Sequence, residues 1–373
     1  MIETIKIKGG GEMNGLTAQA LIHTYTSPRS RGEVFLTRQD VADASKVADQ
    51  IEVIQLDGSE FEKDHQWFWK IFDQTIGKLT ACRVEAKTIA LIRTNGGLNS
   101  GNPIKTLNRY RQNFGNIRLK EIFELETLLV NHGSQLMQYF CRHVMNAQAL
   151  DVAYNALGSF RLKGKKVFPQ NIKSGDLLSQ FLCRDPNFQA VRNRYRQVVK
   201  LVKQFGGGEV LSIACGSANP IVEAVSELKQ SSLLLTDSSS DALKLALSIA
   251  HQAQISERVE ILQVPWIKLP RILANRKFDV VEICGLGDYL SDRSEIKLIE
   301  IALGFLKPEG KIIVSNMVET QPASDLLRRR YNWDIPAYRT PKKFKELIQK
   351  GGGKNIKIYL EPWGIHSIAT ATI

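Results

Sequence analysis

From residue 208 onward the chain alternates short apolar runs with amphipathic stretches, and its last two apolar runs are separated by almost nothing. "EVLSIAC", "SSLLLTD", "VEILQV", "FDVVEIC", "GKIIVSN", "NIKIYLE" and "IHSIATATI" read as strands. Helical stretches separate the first five, which is the pattern of a parallel sheet wrapped by helices. Only "PWG" joins the last two. A parallel crossover needs about a dozen residues or more, so this pair must form an antiparallel hairpin. The spacing therefore predicts an α/β fold over residues 186–373: a seven-stranded, mostly parallel sheet ending in an antiparallel hairpin.

The first half of the chain reads differently. Residues 1–58 mix short β-like runs ("TIKIK", "EVFLT", "IEVIQL") with Gly and Ser-Pro breaks and form no recognisable unit. Residues 59–185 turn helical, and "IRLKEIFELETLLVNHGSQLMQYFCRHVMNAQALDVAYNAL" repeats apolar residues at intervals of three and four, as one long helix or a broken pair. "NPIKTLNRY" and "RLKGKKVFPQNIKSGD" read as loops. "DPNFQAVRNRYRQVVKLVKQFGGG" then starts with Asp185 as N-cap and Pro186 in the first turn, and stops at glycines. We expect three parts: a mixed segment at 1–58, a helical cap at 59–185 shaping an acceptor pocket, and the sheet domain at 186–373.

Composition narrows the class. With 43% hydrophobic and 24% charged residues and no uncharged apolar window of membrane-spanning length, the chain reads as soluble, without a membrane span. "MIETIKIKGGGEMNG" is neither a secretory signal nor a transit peptide, so the expected location is cytoplasmic. Cys82, Cys141, Cys183, Cys215 and Cys284 lack metal-ligand spacing, the six histidines are scattered, and no metal is expected. The net charge of +12 sits in two blocks, with 16 basic against 6 acidic residues in 101–200 and 10 against 5 in 301–350. Such blocks attract anions, and they also occur as solvated helix faces. Nothing in them interleaves aromatic and basic residues as an RNA-binding module does.

An open sheet of this kind binds ligands at the C-terminal ends of its central strands. Four loops should converge there. In the first, "ACGSANP", Gly216 can take angles forbidden to other residues, while Ala214, Cys215, Ser217 and Ala218 keep the loop small enough for close approach. Asp237 ends the second strand 21 residues later, where an acid can accept hydrogen bonds from the ribose of an adenosine ligand. Ser238 follows it, and Ser239 or Ser240 is better placed than Asp237 to cap the next helix. The third loop brings Pro265 and Trp266 towards an adenine, with Trp266 either stacking there or packing. The fourth, "CGLGDYLSD", puts Cys284, Gly285, Asp288 and Tyr289 by the reactive part of the ligand.

A nicotinamide dinucleotide would use a similar acid and glycine loop, but the third glycine is missing and the terminal hairpin is out of place for that fold. These features together resemble the class I S-adenosylmethionine-dependent methyltransferases, whose Rossmann-like sheet has seven strands with the last hairpin reversed. The resemblance covers residues 186–373. A closer likeness lies in "AVRNRY", "LSIACGSA", "WDIPAYRTPKKFKEL" and "IYLEPWGIH". Together these are similar to the bacterial group typified by the enzyme that makes 3-hydroxy fatty acid methyl esters, in which the first loop tends to carry Ser for the acid and Ala for a glycine. Asn219 and Pro220 depart from the basic and acidic residues favoured there.

The resemblance implies S-adenosylmethionine as cofactor and methyl transfer by in-line displacement to a carboxylate or hydroxyl of a small-molecule or lipid-like acceptor. A carboxylate is already an anionic nucleophile, so Arg192, Arg194, Tyr195, Tyr338 and Arg339 become candidates to orient it or the donor's own carboxylate. A hydroxyl or amine would gain from a base, for which Asp288 and His366 are the candidates, with Tyr289 beside them. Two other classes stay open. One is an RNA methyltransferase using the basic block, and the other is a non-catalytic partner protein that kept the fold.

Overall fold

The computed structural model describes residues 186–318 and 335–373, together with 53–56, 61–62, 140, 146–155, 161–162, 165–166 and 333. Most of the 59–185 helical reading, Asp185 included, lies outside the described residues.

In chain order the elements are β1 (Val53–Gln55), α1 (Ala147–Asn155), β2 (Arg161–Leu162), β3 (Lys165–Lys166), α2 (Pro186–Gln204), β4 (Glu209–Ile213), α3 (Asn219–Glu227), β5 (Ser232–Asp237), α4 (Ser240–Gln252), β6 (Val259–Gln263), α5 (Leu269–Leu273), β7 (Phe278–Cys284), α6 (Asp292–Gly304), β8 (Leu306–Met317), α7 (Pro341–Lys350), β9 (Lys354–Leu360) and β10 (His366–Thr372). All seven strands expected from the sequence are present. The sheet has an eighth, β1, which adds parallel to β9. One expectation is corrected: the loop read at 161–176 contains a small antiparallel ribbon, Arg161 pairing with Lys166 and Leu162 with Lys165.

The strand order is β1-β9-β10-β8-β7-β4-β5-β6. From β4 the chain moves outward through β5 and β6, then returns to β7 on the other side of β4, so the switch point lies between β4 and β7. Strand β10 runs antiparallel to both β8 and β9. Its first residue, His366, therefore sits beside Met317, the last residue of β8.

Alternation along each strand divides the core. Val210, Leu235, Val280, Ile313 and Ile368 pack under α2, α3 and α4. Leu211, Leu234, Val281, Ile312 and Ala369 face the layer holding α6 and α7. A sheet covered on both faces needs near-continuous apolar strands, which is why "VLSI", "LLL" and "IIV" carry so few polar residues. Helix α2 ends where Gly206, Gly207 and Gly208 take φ of +80°, +69° and +72° and turn the chain into β4.

Candidate active site at the switch point

The strand period of two also puts Asp237, Ala214, Cys284, Met317 and His366 on one face of the sheet, the face under α2. They border a cavity of about 320 Å3 at the ends of β5, β4, β7, β8 and β10. Four interstrand steps of about 4.8 Å give it a reach of roughly 19 Å from Asp237 to His366. Its roof comes from Ala147 and Leu150 of α1 and from Asn187, Phe188, Val191 and Arg194 of α2. Those four α2 residues follow a helical stripe.

At the β5 end, Asp237 Oδ2 accepts the N–H of Gly216 at 3.0 Å and Oδ1 accepts that of Ser239 at 2.9 Å. The acid thus locks the first loop to the second. Ser239, not Asp237, caps α4, its Oγ accepting from Ala242 N. Gly216 has φ +55°, and a Cβ there would meet only the Ala147 methyl, at 3.9 Å, so the space above the loop is open. Ala214 and Ala218 also stand at φ +54°. The loop keeps a glycine-type backbone at two positions that lack glycine.

Of the residues expected to hold an adenosine ligand, Ala214, Gly216, Asp237, Ser238, Cys284 and Gly285 border the cavity. Cys215, Ser217, Ala218, Pro265 and Trp266 do not. Cys215 packs against the core under α2, and Trp266 against the core on the opposite face. Ser217 Oγ accepts from Asn219 Nδ2 at 2.9 Å, and Pro265 begins a short 3-10 turn. Burial pushes the Cys215 and Cys284 thiols well above the ordinary cysteine range, so neither is a nucleophile at neutral pH.

The five orienting candidates separate. Arg194 borders the cavity, donating from Nη2 to Tyr154 Oη at 3.4 Å, with Nη1 4.0 Å from Asp288 Oδ2. Arg192 is engaged elsewhere, binding Glu62 at 2.9 and 2.7 Å and the carbonyl of Ala153 at 3.1 Å. Tyr195 donates to Glu223 Oε2 at 2.6 Å within the core. Arg339 spans Asp292 Oδ1 and the carbonyls of Gly287 and Leu290, so it braces the loop after β7 from outside the cavity. Tyr338 does not border the cavity.

Asp288, Tyr289 and His366 meet at the β8–β10 end. Asp288 Oδ1 accepts from Asn316 Nδ2 at 2.8 Å and Met317 N at 2.7 Å. Burial raises its carboxyl to about 6, against the opposing pull of Arg194. Tyr289 Oη accepts from Trp333 Nε1 at 2.6 Å, and burial pushes the phenol up to about 12. His366 is 2% exposed, and neither ring nitrogen has a partner. Burial and the Arg194 charge hold its imidazole well below the usual histidine range, hence neutral at pH 7.

Two carboxylates escaped the sequence reading. Glu282, one strand over from Ser212 and in register with it, accepts the Ser212 hydroxyl at 2.5 Å. Glu361 folds the β9–β10 turn by accepting from Ile365 N at 2.7 Å, Trp363 N at 3.0 Å and His366 N at 3.3 Å, while Asn193 Nδ2 of α2 binds it at 3.1 Å. It sets the position of His366. Among the described residues no group of three or more His, Cys, Asp or Glu side chains is placed to hold a metal ion, and no helix is long and apolar enough to cross a membrane.

The strand order defines an open α/β fold, and the cavity lies at its topological switch point, where such folds bind ligands. Residues 205–352 match a family model described as a methyltransferase domain, and the sheet is of the methyltransferase type. Among solved structures, a possible exported protein from Bordetella parapertussis is 15% identical, covers 82% of this chain and 97% of its own, and superposes with a TM-score of 0.54. At that identity the likeness shows the fold alone. A candidate O-methyltransferase from Nostoc punctiforme is 11% identical over 83% of this chain and 99% of its own, with a TM-score of 0.46. Magnesium protoporphyrin IX methyltransferase from Synechocystis, solved with bound S-adenosylhomocysteine, is 11% identical over 49% and 84%, with a TM-score of 0.40. No curated protein matches the sequence.

Proposed function

We propose that the protein is an S-adenosylmethionine-dependent methyltransferase that methylates an oxygen of a small-molecule or lipid-like acceptor. The observation that carries this reading is the junction of Asp237 with Gly216 at the floor of a largely apolar cavity. S-adenosylmethionine is the cofactor indicated by the methyltransferase-domain match. The residues fit it: the Asp237 carboxylate keeps lone pairs for ribose hydroxyls, Gly216 leaves the backbone open, and Arg194 offers a cation beside Gly285.

When bound, the cofactor supplies an electrophilic methyl group. The chain's own part is to hold the acceptor in line and keep water out, and orientation of that kind is worth about 7 to 11 kcal/mol of a barrier. Phe188, Met317, Trp333 and Ile335 give the acceptor end its apolar wall. That wall supports a lipid-like or ring-bearing acceptor, as does the likeness of "LSIACGSA" and "IYLEPWGIH" to the fatty acid methyl ester group. The 101–200 basic block would suit an RNA acceptor, but among its described residues only Arg194 is both basic and on the cavity border.

Isothermal titration calorimetry tests this reading. S-adenosylmethionine and S-adenosylhomocysteine should bind one site per chain, and NADH should not. Binding of NADH in preference to either sulfur compound would refute it.

A further inference from the structure

We propose that His366 is the general base of the transfer and that the acceptor atom is consequently a hydroxyl oxygen, not a carboxylate. This rests on the methyltransferase reading above and narrows it.

The ends of the cavity are chemically different. Asp237 and the glycine loop lie at β5, and His366 lies four strands away at β10, beyond Cys284 and Met317. His366 therefore belongs to the acceptor end. The other titratable groups of that end are already occupied. Asp288 Oδ1 is taken by two N–H donors and its other oxygen faces Arg194. Tyr289 accepts from Trp333. His366 alone among them has buried nitrogens that bond to nothing among the described residues.

A buried polar group without a partner is costly, so such a group bordering a cavity points to a ligand. Neutral imidazole presents one N–H and one lone pair. A hydroxyl can donate to that lone pair, whereas a carboxylate has nothing to donate and needs no base. Arg194 contributes twice. Its charge adds to burial in keeping the imidazole neutral, and it also favours negative charge on a hydroxyl oxygen bound beside it. Glu361, through the N–H groups of Ile365 and His366, fixes the backbone from which the ring projects.

The step balances. The acceptor oxygen forms its bond to the methyl carbon as the carbon–sulfur bond breaks, with that electron pair remaining on sulfur. The hydroxyl proton passes to the free nitrogen of His366, and the imidazolium beside Arg194 then returns it readily to solvent.

The test uses the full chain labelled with 15N-histidine and saturated with S-adenosylhomocysteine, and two matched probes, 4-propylphenol and 4-propylbenzoate. The His366 resonances are assigned by their loss in His366→Gln. In the wild type they should show neutral imidazole at pH 6, and the phenol should shift the unprotonated nitrogen while the benzoate does not. Methyl transfer from tritiated S-adenosylmethionine to the phenol should fall by about 10²- to 10⁴-fold in kcat in His366→Gln, with donor affinity unchanged within about twofold. A benzoate-selective shift, transfer to the benzoate in preference, or equal kcat in His366→Gln would overturn the proposal. Loss of sulfur-compound binding in the wild type would instead overturn the methyltransferase reading beneath it.

Discussion

The Ser212 hydroxyl donates to the Glu282 carboxylate at 2.5 Å across the boundary between β4 and β7, at the position where the first strand of such a sheet usually carries an acid. Glu282 thus supplies a buried carboxylate one strand over from Ser212. Burial raises the Glu282 carboxyl, opposed by its bond to Ser212 and by the Arg194 charge. Ser212→Asp should therefore not improve the protein. Two buried carboxylates in register would force one to stay protonated, with a loss of more than about 2 kcal/mol in chemical denaturation. Glu282→Ser combined with Ser212→Asp should recover most of that loss, and additive effects in the double-mutant cycle would refute the pairing.

Ala214 and Ala218 hold φ of +54° in the first loop, a conformation that costs about 1 to 2 kcal/mol for a residue with a Cβ. Glycine relieves it at an entropic loss of about 0.5 to 1 kcal/mol. Ala214→Gly and Ala218→Gly should each be neutral or stabilising by up to about 1 kcal/mol in thermal melts. A buried Ala→Gly change elsewhere, such as Ala246→Gly in α4, should destabilise.

Glu295 is fully buried on α6, with neither carboxylate oxygen paired, and a Cβ on Gly287 would lie only 2.7 Å from it. Burial raises its carboxyl to about 7 from 4.5, with Arg339 opposing and Asp288 and Asp292 adding to the rise. A raised folded-state value means that the folded chain binds the proton more tightly. The associated stability is complete below pH 4.5 and is lost as pH rises through about 7. Glu295→Gln should thus raise stability at pH 8 by a few kcal/mol and change little at pH 4.5. A gain independent of pH between 4.5 and 8 would refute this account.

Arg339 spans three acceptors, at 3.0 Å to Asp292, 2.9 Å to Gly287 O and 2.6 Å to Leu290 O, and its own N–H binds Met317 O. Lysine cannot reproduce that fork. Arg339→Lys should cost about 1.5 to 3 kcal/mol of stability and should weaken acceptor turnover more than donor binding, since the loop it braces carries Asp288 and Tyr289. Equal losses of both would place its effect elsewhere.

The sheet was legible because its signals are local. Seven apolar runs, the glycine stop before Glu209 and the three-residue link "PWG" each constrain only their neighbourhood. The acceptor end was less legible because its contacts are long-range. Arg192, Arg194 and Tyr195 look alike in "VRNRYR", yet residues two apart on a helix point about 200° apart. Only Arg194, on the stripe with Asn187, Phe188 and Val191, faces the cavity. That stripe was the available signal. Glu282 and Glu361 read as ordinary strand residues until register brings them to Ser212 and His366. The first loop reads as a variant with alanine for glycine, and Ala214 and Ala218 do retain the positive-φ backbone that glycine would serve.

On the proposed reading, the Asp237–Gly216 junction holds the ribose of a sulfonium methyl donor. Titration calorimetry of S-adenosylmethionine against the wild type and Asp237→Asn, with thermal melts confirming that the variant is folded, tests it most directly. The asparagine can still accept from the Gly216 N–H, but it turns its NH2 towards the Ser239 N–H and gives up the charge, worth about 1.5 to 3 kcal/mol in such bonds. Affinity should fall about 10- to 100-fold, more than the modest fall in melting temperature expected from one lost backbone bond. Equal affinity in a folded Asp237→Asn protein would contradict the account and place the ribose elsewhere.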